Sequence, residues 1–300
     1  MAAMPEVYLN GSLMPKSEAR IDPDDRGFLF GDGVYEVLRV REGEPVFVDR
    51  HFERLSRSLA GLELAQPFDR GSFERMARAL IAANAIGDGI VYLQVTRGVA
   101  ARSHTFPAAG TAPTVYAFAR EVKDDATLEA TGVDVVVLPD ERWTHVDLKT
   151  VNLLPNVLAA EHAARAGAYE AILVRDGVVT ESSHSNAWIV VGGVALTHPT
   201  GTAILPGITR DTVLRSARRD GLAVDERPFR VEELRRADEV FLTGTTTGVL
   251  PVVRVDGERV GDGRPGPVTK ALAASYMRTV EEELARVRGG VAHGPRVGAD

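Results

Sequence analysis

The chain has 300 residues, 44% of them hydrophobic and 26% charged, and a formal net charge of −7. That balance suits one large globular domain or two ordinary ones, and the acidic surplus disfavours nucleic acid as the main partner while leaving room for a local pocket that takes a small anion. The absence of cysteine excludes disulfides, thiolate metal ligands and a thiol nucleophile. No apolar run approaches the ~20 residues of a membrane helix, and MAAMPEVYLN lacks the pattern of a signal peptide, so no membrane partner and a cytoplasmic location are expected.

Apolar and polar residues alternate in PEVYLNGSLM and again in VYEVLRVREGEPVFV, where Glu42-Gly43 reads as a hairpin turn. Helical spacing follows over about 49–62 and 69–85, then two strands, IVYLQVTRG and TVYAFAR. Consecutive strands imply an antiparallel sheet with helices packed on it. The short charged segment EVKDDATLEA (121–130) marks the connection between domains. Beyond it come a strand in GVDVVVLP, a helix over about 155–166, and hairpins turned at Asp176-Gly177 and Gly192-Gly193. A helix opening at GITRD, strands around 237–242 and in VLPVVRVDG, and a helix over about 267–287 complete the pattern. The expected architecture is α+β (α/β mixed) in two domains: residues 1–120, a linker at 121–130, and residues 131–288, with 289–300 a disordered tail.

Only four of the 35 basic residues are lysines (Lys16, Lys123, Lys149, Lys270). Where a plain positive charge suffices the chain uses arginine, and lysine alone can offer a neutral, nucleophilic amine to a carbonyl. Lys16, Lys123 and Lys270 sit among polar or turn residues. Lys149, in DLKTVNLLP, is the candidate for imine chemistry, against the alternative of a solvated loop lysine.

Other stretches offer complementary chemistry. Pro206-Gly207 precedes a helix whose first amides, at Ile208 and Thr209, point outward as phosphate donors or simply start an ordinary helix. Thr243-Gly244-Thr245-Thr246-Thr247-Gly248 suits a phosphate cup or a solvated turn. Arg102 and His104, two residues apart in the long segment GVAARSHTFPAAG, share a face if extended and could clamp a carboxylate. Glu181 ends a strand before a row of hydroxyls. The seven histidines show no metal-ligand spacing, and no metal is expected. A lysine to form an imine, two sets of phosphate donors and a carboxylate to hold a ring nitrogen protonated together outline a pyridoxal 5'-phosphate site.

The stretches DRGFLFGDGVYEVLRV, RLSRSLAGLEL, QVTRG, ARSHTFP, DLKTVNLL, YEAILVRDGVVTESSHSN, ILPGITRD and FLTGTTTGVLPV resemble, in the same order, the fold-type IV pyridoxal phosphate enzymes, most of all the D-amino-acid aminotransferases. The resemblance spans about Val7 to Val280. It implies transamination of D-amino acids such as D-alanine with a 2-oxo acid acceptor such as 2-oxoglutarate, in a ping-pong cycle through an internal aldimine at Lys149. It further implies that Arg54, Ile208, Thr209, Thr245 and Thr246 hold the cofactor phosphate and that Glu181 pairs with the pyridine nitrogen. Tyr35, with Arg102 and His104 reaching in from the neighbouring subunit of a homodimer, would trap the substrate carboxylate. Branched-chain or (R)-amine transaminases and aminodeoxychorismate lyase-like enzymes of the same fold are the alternatives. The chain departs from the family pattern after Glu181: Ser182, Ser183, His184 and Ser185 stand where a glycine and serines are usual, and the following aromatic is Trp188.

Overall fold

The computed structural model of the chain describes residues 5–291. β1 (Glu6–Leu9) and β2 (Ser12–Pro15) form a first hairpin. A short helix that the periodicity does not announce, α1 (Arg26–Phe30), starts at the Asp25 cap and stops at Gly31 in the left-handed conformation. β3 (Gly33–Arg41) turns through Glu42-Gly43, both at positive φ, into β4 (Glu44–Pro45). The sign of φ at both residues is that of a type I′ turn, whose twist matches the strands it joins.

α2 (Val48–Gly61) and α3 (Arg70–Ala83) bury Leu55, Leu59, Phe73, Met76 and Leu80 against Val34, Leu38, Val91 and Leu93 of the sheet below. β5 (Gly89–Thr96) and β6 (Thr114–Glu121) complete that sheet, whose order is β2-β1-β6-β5-β3-β4 and whose pairs are all antiparallel. The antiparallel sheet is as expected, but its neighbours are not only sequential hairpins. β5 returns beside β3 after the helical excursion, and β1 pairs with β6, the last strand.

The 121–130 segment is not bare chain: its second half enters α4 (Ala126–Thr131), capped by the Asp125 carboxylate, which accepts from the Thr127 and Leu128 amides. The second half of the chain contains β7 (Val133–Pro139), α5 (Leu154–Arg165), β8 (Glu170–Arg175), β9 (Val178–Ser182), β10 (Asn186–Val191), β11 (Val194–Thr197) and α6 (Ile208–Arg219). β12 (Val224–Glu226), α7 (Val231–Arg235), β13 (Glu239–Gly244), β14 (Gly248–Val255), β15 (Glu258–Arg259) and α8 (Pro267–Val291) follow. Its sheet runs β12-β11-β10-β13-β14-β7-β8-β9, with β15 beside β14. Three pairs, β11 with β12, β14 with β7, and β7 with β8, are parallel, so the sheet is mixed. The short β12, α7 and β15 left no periodic trace in the sequence because each has too few residues to complete one.

α8 runs to Val291, three residues into the segment expected to lack structure, and residues 292–300 of that segment lie outside the described residues. Among the described residues no helix is long and apolar enough to cross a membrane.

Candidate active site

Tyr35, Arg54, Lys149, Glu181, Ile208, Thr209 and Thr245 all line one cleft that opens to solvent. It draws on β3 and α2 from the first half of the chain and on the β9, α6 and β13 ends from the second.

Lys149 lies between β7 and α5, in a segment that pairs with the start of β3. The Tyr35 amide donates to the Lys149 carbonyl at 2.9 Å and the Val151 amide to the Gly33 carbonyl at 3.0 Å. From the other side, the Lys149 amide donates to Ser58 Oγ of α2 at 3.1 Å. Leu148 rests on Gly61, where any Cβ would come within 2.5 Å of it. The lysine backbone is therefore fixed by two elements, and its Nζ sits 4.1 Å from the centroid of the Tyr35 ring, in reach of its electron-rich face.

Arg54 comes from the buried face of α2. Its Nε and Nη2 donate to the two oxygens of Glu36 at 2.8 and 2.9 Å, and His51 Nδ1 lies 2.8 Å from the same carboxylate. Glu36 is fully buried; desolvation alone would raise its pKa, but Arg54 and His51 hold it well below the usual carboxylate range. Burial lowers the pKa of His51, so the neutral ring donates its Nδ1–H to Glu36. The geometry leaves Arg54 Nη1, weakly engaged with the Pro206 carbonyl at 3.3 Å, as the nitrogen presented to the cleft. Beside it, α6 begins at Gly207 with no capping side chain, so its first amides and its dipole are free to take an anion. Gly207 is required here: a Cβ would lie 2.0 Å from Asn186 Oδ1. Arg50 links the helices by donating to Asp211, Thr212 and the Ile208 carbonyl.

Glu181 lines another part of the same cleft. Its Oε2 accepts from Asn186 Nδ2 at 2.8 Å and from the Leu205 amide at 3.1 Å, and its Oε1 pairs with Arg142, which is also held by Asp140 at 2.8 Å. Burial pushes the Glu181 carboxyl up to about 7, against the pull of Arg142. Desolvation opposes the charge on Arg142 too, but its hydrogen bonds to Asp140 and Glu181 outweigh that and raise its pKa. Next to Glu181, Ser182 lines the cleft with a buried Oγ that has no partner among the described residues.

The remaining sequence expectations are placed differently. Thr246 is exposed and does not line the cleft, unlike Thr245. Arg102 and His104 are exposed in the loop between β5 and β6 and lie against Phe30, at 5.1 and 5.5 Å from its ring centroid, away from the cleft of their own chain. Sequence reasoning missed Glu36, His51, Arg142 and Asn186. Glu36 did leave a signal: in β3 it shares the buried face with Val34, Leu38 and Val40, and a carboxylate on an apolar stripe needs a buried cation. Arg142 and Asn186 left none.

The donor set fits pyridoxal 5'-phosphate. A guanidinium nitrogen, uncapped helix amides and Thr245 at one end suit a phosphate. A buried carboxylate and an orphaned serine hydroxyl at the other suit the polar groups of a pyridine ring, and a lysine lines the same cleft.

Residues 33–255 match the family described as Amino-transferase class IV. The chain is 41% identical to the D-alanine aminotransferase of Bacillus licheniformis, over 94% of this chain and 99% of that one. It is 38% identical to that of Staphylococcus haemolyticus, over 93% and 99%. Among solved structures it is similar to the branched-chain amino acid aminotransferase from Escherichia coli, with a TM-score of 0.85 at 26% identity, covering 93% of this chain and 95% of that one. The T.th. branched-chain amino acid aminotransferase with pyridoxamine 5'-phosphate also has a TM-score of 0.85 at 26% identity, over 94% and 96%.

Proposed function

The chain belongs to the class IV aminotransferases, and from that premise we propose that it moves the amino group of a D-amino acid such as D-alanine to a 2-oxo acid such as 2-oxoglutarate, using pyridoxal 5'-phosphate. The observation that carries this reading is the convergence of Lys149, Glu181 and Arg54 on one cleft. The identity to D-alanine aminotransferases, 38–41% against 26% for the branched-chain structures, favours the D-amino-acid substrate.

The cofactor, when bound, supplies the electron sink that makes the substrate Cα proton removable. Arg54 Nη1, the Ile208 and Thr209 amides and Thr245 hold its phosphate, and Glu181 pairs with its ring nitrogen. Lys149 Nζ is its attachment point and the base that accepts the Cα proton; its fixed backbone keeps that base in one place through both half-reactions. Thr246 is proposed to act only through its backbone, given its exposed side chain. Tyr35, beside Lys149, contributes to the substrate carboxylate site.

The active enzyme in this reading is a cytoplasmic homodimer in which Arg102 and His104 of the partner subunit complete the carboxylate clamp. Exposure of both residues, and of Leu154 (69%) and Val157 (59%) one helical turn apart on α5, supports it, since clustered exposed apolar residues mark association surfaces. The domain division at 121–130 belongs to the same proposal and puts the cleft between the two halves.

The test is a half-reaction followed by the visible absorption of the holoenzyme. Loss of the visible band with D-alanine and not with L-leucine is expected; the reverse would move the protein to the branched-chain group, which its structural neighbours represent.

A further inference from the structure

The ionic groups of the cleft are mostly spoken for. Arg54 is tied to Glu36, and Arg142 to Asp140 and Glu181; Lys149 is the reacting amine of the proposed function. His184 is the exception. It lines the same cleft, its side chain is 50% exposed, and it stands on a part of the chain where no serine could reach as far.

Its backbone is immobilised. Glu170, at the start of β8 and fully buried, accepts from the His184 amide at 2.6 Å, the Ser185 amide at 2.9 Å and Ser185 Oγ at 2.9 Å. Asn156 Nδ2 donates to the Ser183 carbonyl at 2.7 Å, and the Ser182 amide to the Ser185 carbonyl at 2.8 Å. A loop so anchored holds its one exposed side chain at a fixed place on the cleft wall.

The imidazole is oriented as well. Nδ1 lies 3.4 Å from Ser183 Oγ and 3.3 Å from Glu170 Oε1, so that edge faces the loop and its buried carboxylate, and Nε2 has no partner among the described residues. In the tautomer in which Nδ1 accepts from Ser183 Oγ, Nε2 carries the hydrogen and donates it to whatever acceptor enters the cleft.

We propose that His184 is a specificity-determining residue that recognises a second, distal carboxylate on the substrate, favouring dicarboxylic amino acids and 2-oxo acids over their monocarboxylic counterparts. The proposal rests on the transamination reading above and names the substrate class of that same site. The α-carboxylate is taken by the Tyr35 side of the cleft; a substrate of five-carbon length then has one charged group left, and His184 is the unspent polar group that can meet it.

The experiment compares glutarate and valerate, unreactive and matched in length, as ligands of the holoenzyme by calorimetry, for the unmodified protein and His184→Ser. A charge-assisted hydrogen bond at a half-exposed site predicts a loss of about tenfold in glutarate affinity in the variant, with valerate changed by less than about twofold. The ratio of kcat/KM for D-glutamate to that for D-alanine should fall in parallel, through KM. Equal losses for both ligands would assign His184 to loop architecture and overturn the proposal, as would no loss for either. Failure of the underlying reading has a separate signature: no half-reaction of the unmodified protein with D-alanine, whatever the glutarate-to-valerate ratio.

Discussion

The two ends of the cleft are built from the same parts, but only one of the two carboxylates reaches the cleft. At the Arg54 end a buried carboxylate, Glu36, sits behind the arginine, and the cation is what the cleft receives. At the Glu181 end the carboxylate itself lines the cleft, with Arg142 beside it on the same wall. The consequence appears in the titration. Glu36, bracketed by Arg54 and His51, is held well below its ordinary range, while Glu181, with one flank left to the cleft, is pushed up to about 7 by burial. One pair is closed and keeps a permanent positive charge on the cleft wall. The other is open, and in the proposed reading a cationic ring nitrogen would complete the charge of its carboxylate.

Lys149 lines the same cleft, and its loss should have the largest effect of all. Lys149→Ala should lower turnover by more than about a thousandfold while leaving the circular dichroism and melting profile of the protein unchanged. Retained activity would separate the ends from any chemistry between them.

The closed end should be the more sensitive to being opened. Glu36→Ala strips Arg54 and His51 of their buried partner and should cost about 3–5 kcal/mol in chemical denaturation. A loss within the range of a surface substitution would mean that the Arg54 cation is not held by Glu36.

The open end predicts a pH dependence that the closed end does not share near neutrality. The Glu181 carboxyl binds its proton more tightly in the folded than in the unfolded state, because burial raises its pKa to about 7 from an ordinary value of 4.5. Its contribution is therefore fully present below about pH 4.5 and is lost as the pH rises through 7. Cofactor-free protein should lose on the order of 2–3 kcal/mol from this group between pH 5 and pH 8. Glu181→Gln should flatten that part of the melting profile, and bound cofactor should do the same. A profile equally steep in the variant would place the titration elsewhere.

The smallest effect is expected outside both ends. Arg102→Ala should raise KM for D-alanine about tenfold with cofactor affinity unchanged. An unchanged KM would remove Arg102 from the carboxylate clamp.

How much of this was written in the chain differs between the two ends. The helix start at Ile208, the turn residues at 42–43, 176–177 and 192–193, and the apolar stripes of α2 and α3 are local features, fixed by backbone conformation and side-chain period within a few residues. The scarcity of lysine singled out Lys149 in the same local way. Glu36 was half legible, as a carboxylate on an apolar face with no neighbour in sequence to neutralise it.

The partners themselves were not legible. Arg54 meets Glu36 across 18 residues, Arg142 meets Glu181 across 39, and the β3 edge that fixes Lys149 lies more than a hundred residues upstream. The sequence by itself determined the elements and the residue types able to do the chemistry. Only the tertiary structure decided which carboxylate is shut behind its arginine and which lines the cleft. That choice is set by burial and by the direction in which each side chain leaves its element, and both arise only when the two sheets close on the cleft.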